Sequence, residues 1–341
     1  MRIGLITRHD LTSSARIGGG LVYRRLLYEC LGRHHDVELV RVPERRPSNS
    51  TAKAVERLDF ARRLQRIAGE KDLWIRDFRE MAFIGPLRTV GRQIVVLHHF
   101  DASVQPNRLY NEVVDRLALW RLREADVTVT VSRYWQARVA EALRAEEGAV
   151  RIIYNAIDPD RFEDLLEEPG RAFRRRMGLP DGPLVYIGNR VPGKGTRFAL
   201  SVLEDEAVVP VTSGPARIEL PCPHLEAAYE DYLKLLARSE AAVLQSRFNE
   251  GWCITAHEAM MCRTPVIGSG RGGMRELLER GGQFVTDDPA EIRAILRRLR
   301  ENPAERAAVG EQGRAFAAQF TRERFERAWL DLVAEQVEPR G

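Results

Sequence analysis

Lysine is nearly missing from this chain. Among 341 residues only Lys53, Lys71, Lys194 and Lys234 carry it, and every other basic side chain is arginine. A GC-rich genome is the plain cause, yet it makes a lysine at a motif position harder to dismiss as background. Cysteine is scarce as well. Cys30, Cys222, Cys253 and Cys262 form no CxxC pair and no metal-like spacing. That excludes a zinc ribbon or a disulfide framework and leaves free thiols in a reducing compartment as the simplest reading. No apolar run reaches the roughly 20 residues of a membrane span. The one in "MRIGLITRHD" is too brief for a signal peptide and reads as a short buried strand. A net charge of +4 is too mild to call for nucleic acid. What is left, 44% hydrophobic and 30% charged, describes a globular protein of one or two domains, expected in the cytoplasm.

Strand and helix alternate along the chain. "RIGLIT", "DVELVRV", "DLWIRD", "QIVVLHH", "DVTVTVS" and "AVRIIYNAID" read as strands. Between them come a glycine loop opening a helix at "GGGLVYRRLLYECLGR" and helices over residues 53 to 68 and about 133 to 145. In the first of those two, Val55, Leu58, Leu64 and Ile67 keep helical spacing. A polar stretch bounded by prolines and glycines, about 160 to 182, marks a domain boundary. A second series follows: "PLVYIGN", "AVVPVTSG", "AAVLQS", "TPVIGSG" and "GGQFVT", with helices at about 224–238, 255–262, 289–301 and 303–318 and a closing helix "RERFERAWLDLVAEQV". Such repetition predicts parallel sheets covered by helices, with ligands bound at the strand C-terminal ends.

Three stretches could carry chemistry. Gly18, Gly19 and Gly20 stand between a strand and a helix, where backbone amides can approach a phosphate; an ordinary tight turn explains them as well. "GNRVPGKG" places Arg190 and Lys194 on a glycine loop at a strand end, suited to a diphosphate or to plain solvation. It lacks the Walker spacing. "NEGWCITAHEAM" sets Glu250 before a helix start near residues 251 to 255 and Glu258 inside that helix. Each carboxylate can accept paired hydrogen bonds from neighbouring hydroxyls, as a sugar or ribose would offer. Two surface glutamates flanking a helix start is the plainer alternative.

In order and wording these stretches resemble the family 4 retaining glycosyltransferases of the GT-B fold, over about residues 1 to 335. "NEGWCITAHEAM" matches the family's E-x7-E motif. "TPVIGSGRGGMRE" is similar to its continuation at Pro265, Gly272, Gly273 and Glu276. "IIYNAIDPDRF" is similar to the signature covering Asn155, Asp158, Arg161 and Phe162, and "ADVTVTVSRYW" to the segment around Ser132. The "GGG" run and "VVLHHFD" correspond to its glycine loop and strand-end histidine. The resemblance implies an α/β fold of two doubly wound Rossmann-like domains facing across a cleft. An acceptor-side domain would span 1–165, with the helix at about 320–337 packing back on it, and a nucleotide-sugar domain would span 178–319.

The roles it implies follow the donor. Lys194, and Arg190 with it, would neutralise the leaving diphosphate of a UDP- or GDP-sugar, so that no metal and no cofactor beyond this co-substrate is expected. Gly18, Gly19 and Gly20 would close over the diphosphate or shape the acceptor side. Glu250 would hold hydroxyls of the donor sugar, the backbone amides of Gly251, Trp252, Cys253 and Ile254 would contact that sugar or its phosphate, and Glu258 would hold the ribose. His98 or His99 would stand beside the sugar, with His98 in the better register. The acceptor would be a saccharide, a lipid-linked glycan or a small molecule.

The chain departs from the family pattern at Asn189, where arginine is usual, and at Cys253 and Arg263, where glycine is usual. The segment from 196 to 240 is also short, which bears on the base pocket. A basic stretch over 41 to 66 suits either solvation or an anionic membrane surface. A nucleotide-sugar-binding protein without transferase activity and a sugar-nucleotide epimerase are the alternatives.

Overall fold

The computed structural model describes residues 1–7, 11, 19–42, 50–84, 91–100 and 108–336. The chain folds as two units. One comprises Met1–Ala156 with Arg322–Gly341, the other Ile157–Thr321.

The described strands of the first unit are β1 (Arg2–Thr7), β2 (Asp36–Arg41), β3 (Leu73–Asp77), β4 (Arg92–Leu97), β5 (Val127–Thr130) and β6 (Val150–Ile152). They form one parallel sheet in the order β2-β1-β3-β4-β5-β6. β1 and β4 are buried almost end to end because helices cover both faces, which is why they read as unbroken apolar runs. Val95, Leu97, Trp135 and Val139 lie in the core on one flank, Ile6, Phe60, Leu64 and Trp74 on another. The closing helix Arg322–Glu335 belongs here: the Trp329 indole donates to the Tyr23 hydroxyl at 3.2 Å, and Phe325 meets the Tyr23 ring edge-on.

The second unit holds β7 (Leu184–Tyr186), β8 (Val209–Ser213), β9 (His224–Leu225), β10 (Ser239–Leu244), β11 (Val266–Gly268) and β12 (Phe284–Val285). They pair in parallel in the order β12-β11-β10-β7-β8-β9. The order reverses between β7 and β10, a switch point of the kind at which open α/β sheets bind ligands beyond the strand C-terminal ends.

Several sequence expectations change. His224 and Leu225 pair as β9 instead of starting a helix, which runs over Tyr229–Ala237. β4 stops at Leu97, so both histidines follow the strand. Val55 is exposed, and Phe60 with Leu64 supplies the buried face of the helix Ser50–Ile67. The polar stretch after residue 160 contains the helix Gly170–Met177. The helices Arg108–Arg121, Thr196–Val202 and Gly273–Arg280 are additions. Among the described residues no helix is long and apolar enough to cross a membrane.

Candidate functional site

Lys194 and Glu250 come from the two loops that leave the switch point of the second sheet. After β7 the chain passes Gly188, Gly193 and Gly195, all at positive φ. At Gly195 a Cβ would sit 1.7 Å from the Gln245 carbonyl oxygen, so only glycine lets this loop press on the end of β10. The Arg247 amide donates to the Gly193 carbonyl at 2.7 Å and ties the loops together. The Lys194 Nζ then reaches Glu250 Oε1 at 2.7 Å and stands 4.9 Å from the centre of the Phe248 ring. Ser246 Oγ donates to the same oxygen at 2.5 Å.

The Glu250 backbone is held just as firmly. Its amide donates to Arg271, and its carbonyl accepts from the Gly273 amide at 2.8 Å. Gly272, at φ 67, allows this approach, since a Cβ there would lie 2.4 Å from the Glu250 carbonyl oxygen. Glu250 is buried, and a buried carboxylate is costly without a cation beside it. Burial alone would push the Lys194 ammonium toward neutrality; the Glu250 carboxylate outweighs it and holds the lysine above its ordinary value. Lys194 is therefore a fixed cation at neutral pH.

Gly251, Trp252 and Cys253 turn the chain into the helix Ile254–Met261. Cys253 is the N-cap at φ 69 and ψ 74, without a side-chain cap. The amides at this start, Ile254 among them, have no carbonyl one turn back within the helix. The Cys253 thiol is pushed up to about 12 by burial and by Glu250, so it stays protonated. Trp252 points into the interior: its indole donates to His257 Nδ1 at 3.1 Å, and His257 Nε2 donates to the Ala317 carbonyl at 3.0 Å. The Trp252 side chain is thus structural, and the role expected of residues 251 to 254 falls to their backbone amides. Glu258 is buried one turn into the helix. Tyr229 donates to one of its oxygens at 3.0 Å and Tyr232 to the other at 2.8 Å.

Arg190 does not join Lys194. Its Nε donates to Thr212 Oγ1 at 3.0 Å and its terminal nitrogen to the Cys222 carbonyl at 2.5 Å. The guanidinium thus sits on the β8–β9 side of β7, while Glu250 follows β10 on the other side. The shift by one residue from the family position aims it there.

In the first unit, Gly18 lies outside the described residues, and Gly19 and Gly20 open the helix Gly19–Gly32. Gly20 lies against His98, 3.6 Å from Cδ2 for a Cβ built on it, and its carbonyl accepts from Arg24, which pairs with Asp77 at 3.1 Å. The His98 ring meets Tyr23 edge-on at 4.8 Å. Burial, then the Arg24 charge, pushes His98 down to about 3, so it is neutral. Its Nε2 is enclosed without a hydrogen-bond partner among the described residues. His99 is exposed.

Sequence reading missed Ser246, Phe248, Tyr229, Tyr232 and His257. The tyrosines carried a signal: residues three apart share a helix face.

Two family descriptions match the chain: Glycosyltransferase Family 4 over residues 17–161 and Glycosyl transferases group 1 over residues 224–316. It is 28% identical over 263 residues to a 2-deoxystreptamine glucosyltransferase of Streptomyces kanamyceticus, covering 64% of this chain and 68% of that one. It spans only 45% to 61% of the length of several other curated relatives. Among solved structures, a sucrose-phosphate synthase from Thermosynechococcus elongatus superposes with a TM-score of 0.79 at 17% identity, over 98% of each chain. The Anabaena protein HepE, solved with UDP-glucose, superposes with a TM-score of 0.73 at 18% identity, over 98% of this chain and 100% of that one. These likenesses give the fold, that of the GT-B glycosyltransferases.

Proposed function

Because the chain belongs to the family 4 glycosyltransferases, we propose that it transfers a hexose from a UDP- or GDP-linked donor to a saccharide, lipid-linked or small-molecule acceptor, with retained anomeric configuration and without a metal ion. The observation that carries this reading is the Lys194–Glu250 pair at the switch point. When the bond from the anomeric carbon to the diphosphate oxygen breaks, both electrons stay on the diphosphate and its charge grows. A cation already held in place stabilises that charge more in the transition state than in the ground state.

Glu250 keeps Lys194 charged and aimed, and its carboxylate accepts from the donor-sugar hydroxyls. Backbone amides of residues 251 to 254 lie along the same sugar or its phosphate. Glu258, oriented by Tyr229 and Tyr232, accepts from the ribose hydroxyls with its remaining lone pairs. His98, neutral beside Gly20, serves the sugar side, and the glycines at 18 to 20 serve the diphosphate. HepE was solved with UDP-glucose, so UDP-sugars are the donors to try first.

The test is nucleotide release from UDP- and GDP-sugars by purified protein. Lys194→Ala is expected to lower turnover about 100-fold or more, and EDTA to leave it unchanged. Turnover near wild type in that variant removes the role given to the lysine. The engagement of Arg190 by Thr212 and Cys222 favours a second reading, donor binding without transfer. A wild-type protein that binds UDP yet releases none from any donor would establish it.

A further inference from the structure

The side chain that packs on His98 is held from the far end of the chain. Tyr23 lies in the helix Gly19–Gly32, one turn after Gly20, and is buried. Its ring meets the His98 ring edge-on, with centroids 4.8 Å apart and planes at 85°. The Tyr23 hydroxyl donates to the Ile153 carbonyl at 3.2 Å and accepts from the Trp329 indole at 3.2 Å, a contact across 306 positions of sequence. Phe325, one turn before Trp329, meets the same ring at 4.9 Å. Burial raises the phenol above its ordinary value, so the hydroxyl keeps its proton and remains a donor. Ring and hydroxyl are both fixed, by the segment after β6 and by the closing helix Arg322–Glu335.

His98 has no such anchor at Nε2. That nitrogen is enclosed and has no hydrogen-bond partner among the described residues. Gly20 borders the ring at Cδ2, where a built Cβ would lie 3.6 Å away, and the Tyr23 ring borders it as well. An enclosed polar atom left open costs stability. A group that must meet a ligand is kept at its angle by neighbours whose own rotamers are locked. We propose that Tyr23 and Trp329 are positioning residues for His98: through the phenol, the closing helix sets the tilt of the imidazole and keeps Nε2 facing the donor sugar. The proposal rests on the reading that puts His98 beside that sugar. A purely architectural role, fastening the closing helix to the first one, is the alternative.

Tyr23→Phe and Trp329→Phe each break the hydroxyl contact from one side and keep a ring; the two positions guard against a variant that fails to fold. With UDP-glucose as donor, each is expected to lower kcat for nucleotide release about tenfold and to change KM less than about twofold, the scale for displacing a reacting group by a fraction of an ångström. In a His98→Ala background neither should lower kcat further, because residues acting through one group are not additive. A second readout needs no turnover. In the full chain carrying 13C-labelled histidine, the His98 ring signal, identified by its loss in His98→Ala, is expected to shift or broaden in both variants, while that of the exposed His34 stays in place. The proposal is overturned if the His98 signal is unmoved in both variants, or if their losses in kcat persist in full in His98→Ala. An impaired His98→Ala beside unimpaired Tyr23→Phe and Trp329→Phe overturns the proposal alone. His98→Ala turning over like wild type removes the histidine from the sugar side, and that reading falls together with the proposal.

Discussion

Cys253 and Arg263 sit where the family usually has glycine, and both have left-handed backbone, φ 69 and 59. A Cβ in that region costs about 1–2 kcal/mol. Arg263→Gly removes that strain but gives the unfolded chain more freedom, so a net gain of up to about 1 kcal/mol in urea unfolding is expected. Arg263→Ala is the control, because it keeps the Cβ; an equal gain there would locate the effect in the charge. The geometry of Glu258 supports a second expectation. Tyr232→Phe removes one of its two phenol donors and keeps the ring. Losing a hydrogen bond to a charged group costs about 1.5 kcal/mol or more. If the bond serves to orient the carboxylate for ribose, KM for the donor rises about tenfold while kcat changes little. A fall in kcat at constant KM would assign Tyr232 to the reacting end instead.

The helix Ile254–Met261 hangs on the path from Trp252 through His257 to Ala317. In this path His257 Nδ1 must accept and therefore must be unprotonated. Burial lowers its pKa from 6.5 to about 4. The unfolded chain thus binds the proton at higher pH, and stability present above pH 6.5 is lost as pH falls toward 4, by about 3 kcal/mol at most. Denaturation measured across that window should show the loss, and His257→Gln should flatten it; an unchanged slope would place the titration elsewhere, at His98 for instance. Elements were legible where one pattern ruled. β1 and β4 are unbroken apolar runs, and the helix Pro289–Glu301 has its Asp288 cap, Pro289 and a periodic face. The helix Arg108–Arg121 hid because apolar residues on two faces blur the period. The helix Gly273–Arg280 hid behind its glycines, and β9 is two residues long. Glu250, Glu258 and Lys194 could be singled out by motif, but which side chain each one meets could not. Lys194 meets Glu250 across 56 positions of chain, a contact made by the sheet order and not by local spacing.

At the scale of the whole molecule, that sheet order is what gives the site its place. The strands next to the reversal, β7 and β10, send out the loops with Lys194 and Glu250, and Glu258 follows on the next helix, so all three belong to Ile157–Thr321. A nucleoside diphosphate held by these residues stabilises the unit that contains them. At a UDP concentration 100 times Kd the gain is about 2.7 kcal/mol. Amides there that exchange only through opening of the unit would then slow about 100-fold. Hydrogen exchange read peptide by peptide separates the two units directly. Protection is expected first in residues 188 to 196 and 245 to 260, and it should be lost in Glu258→Leu, which cannot accept from ribose. Slowing confined to Met1–Ala156 would move the nucleotide out of the second unit, and with it the reason for a fixed cation at Lys194.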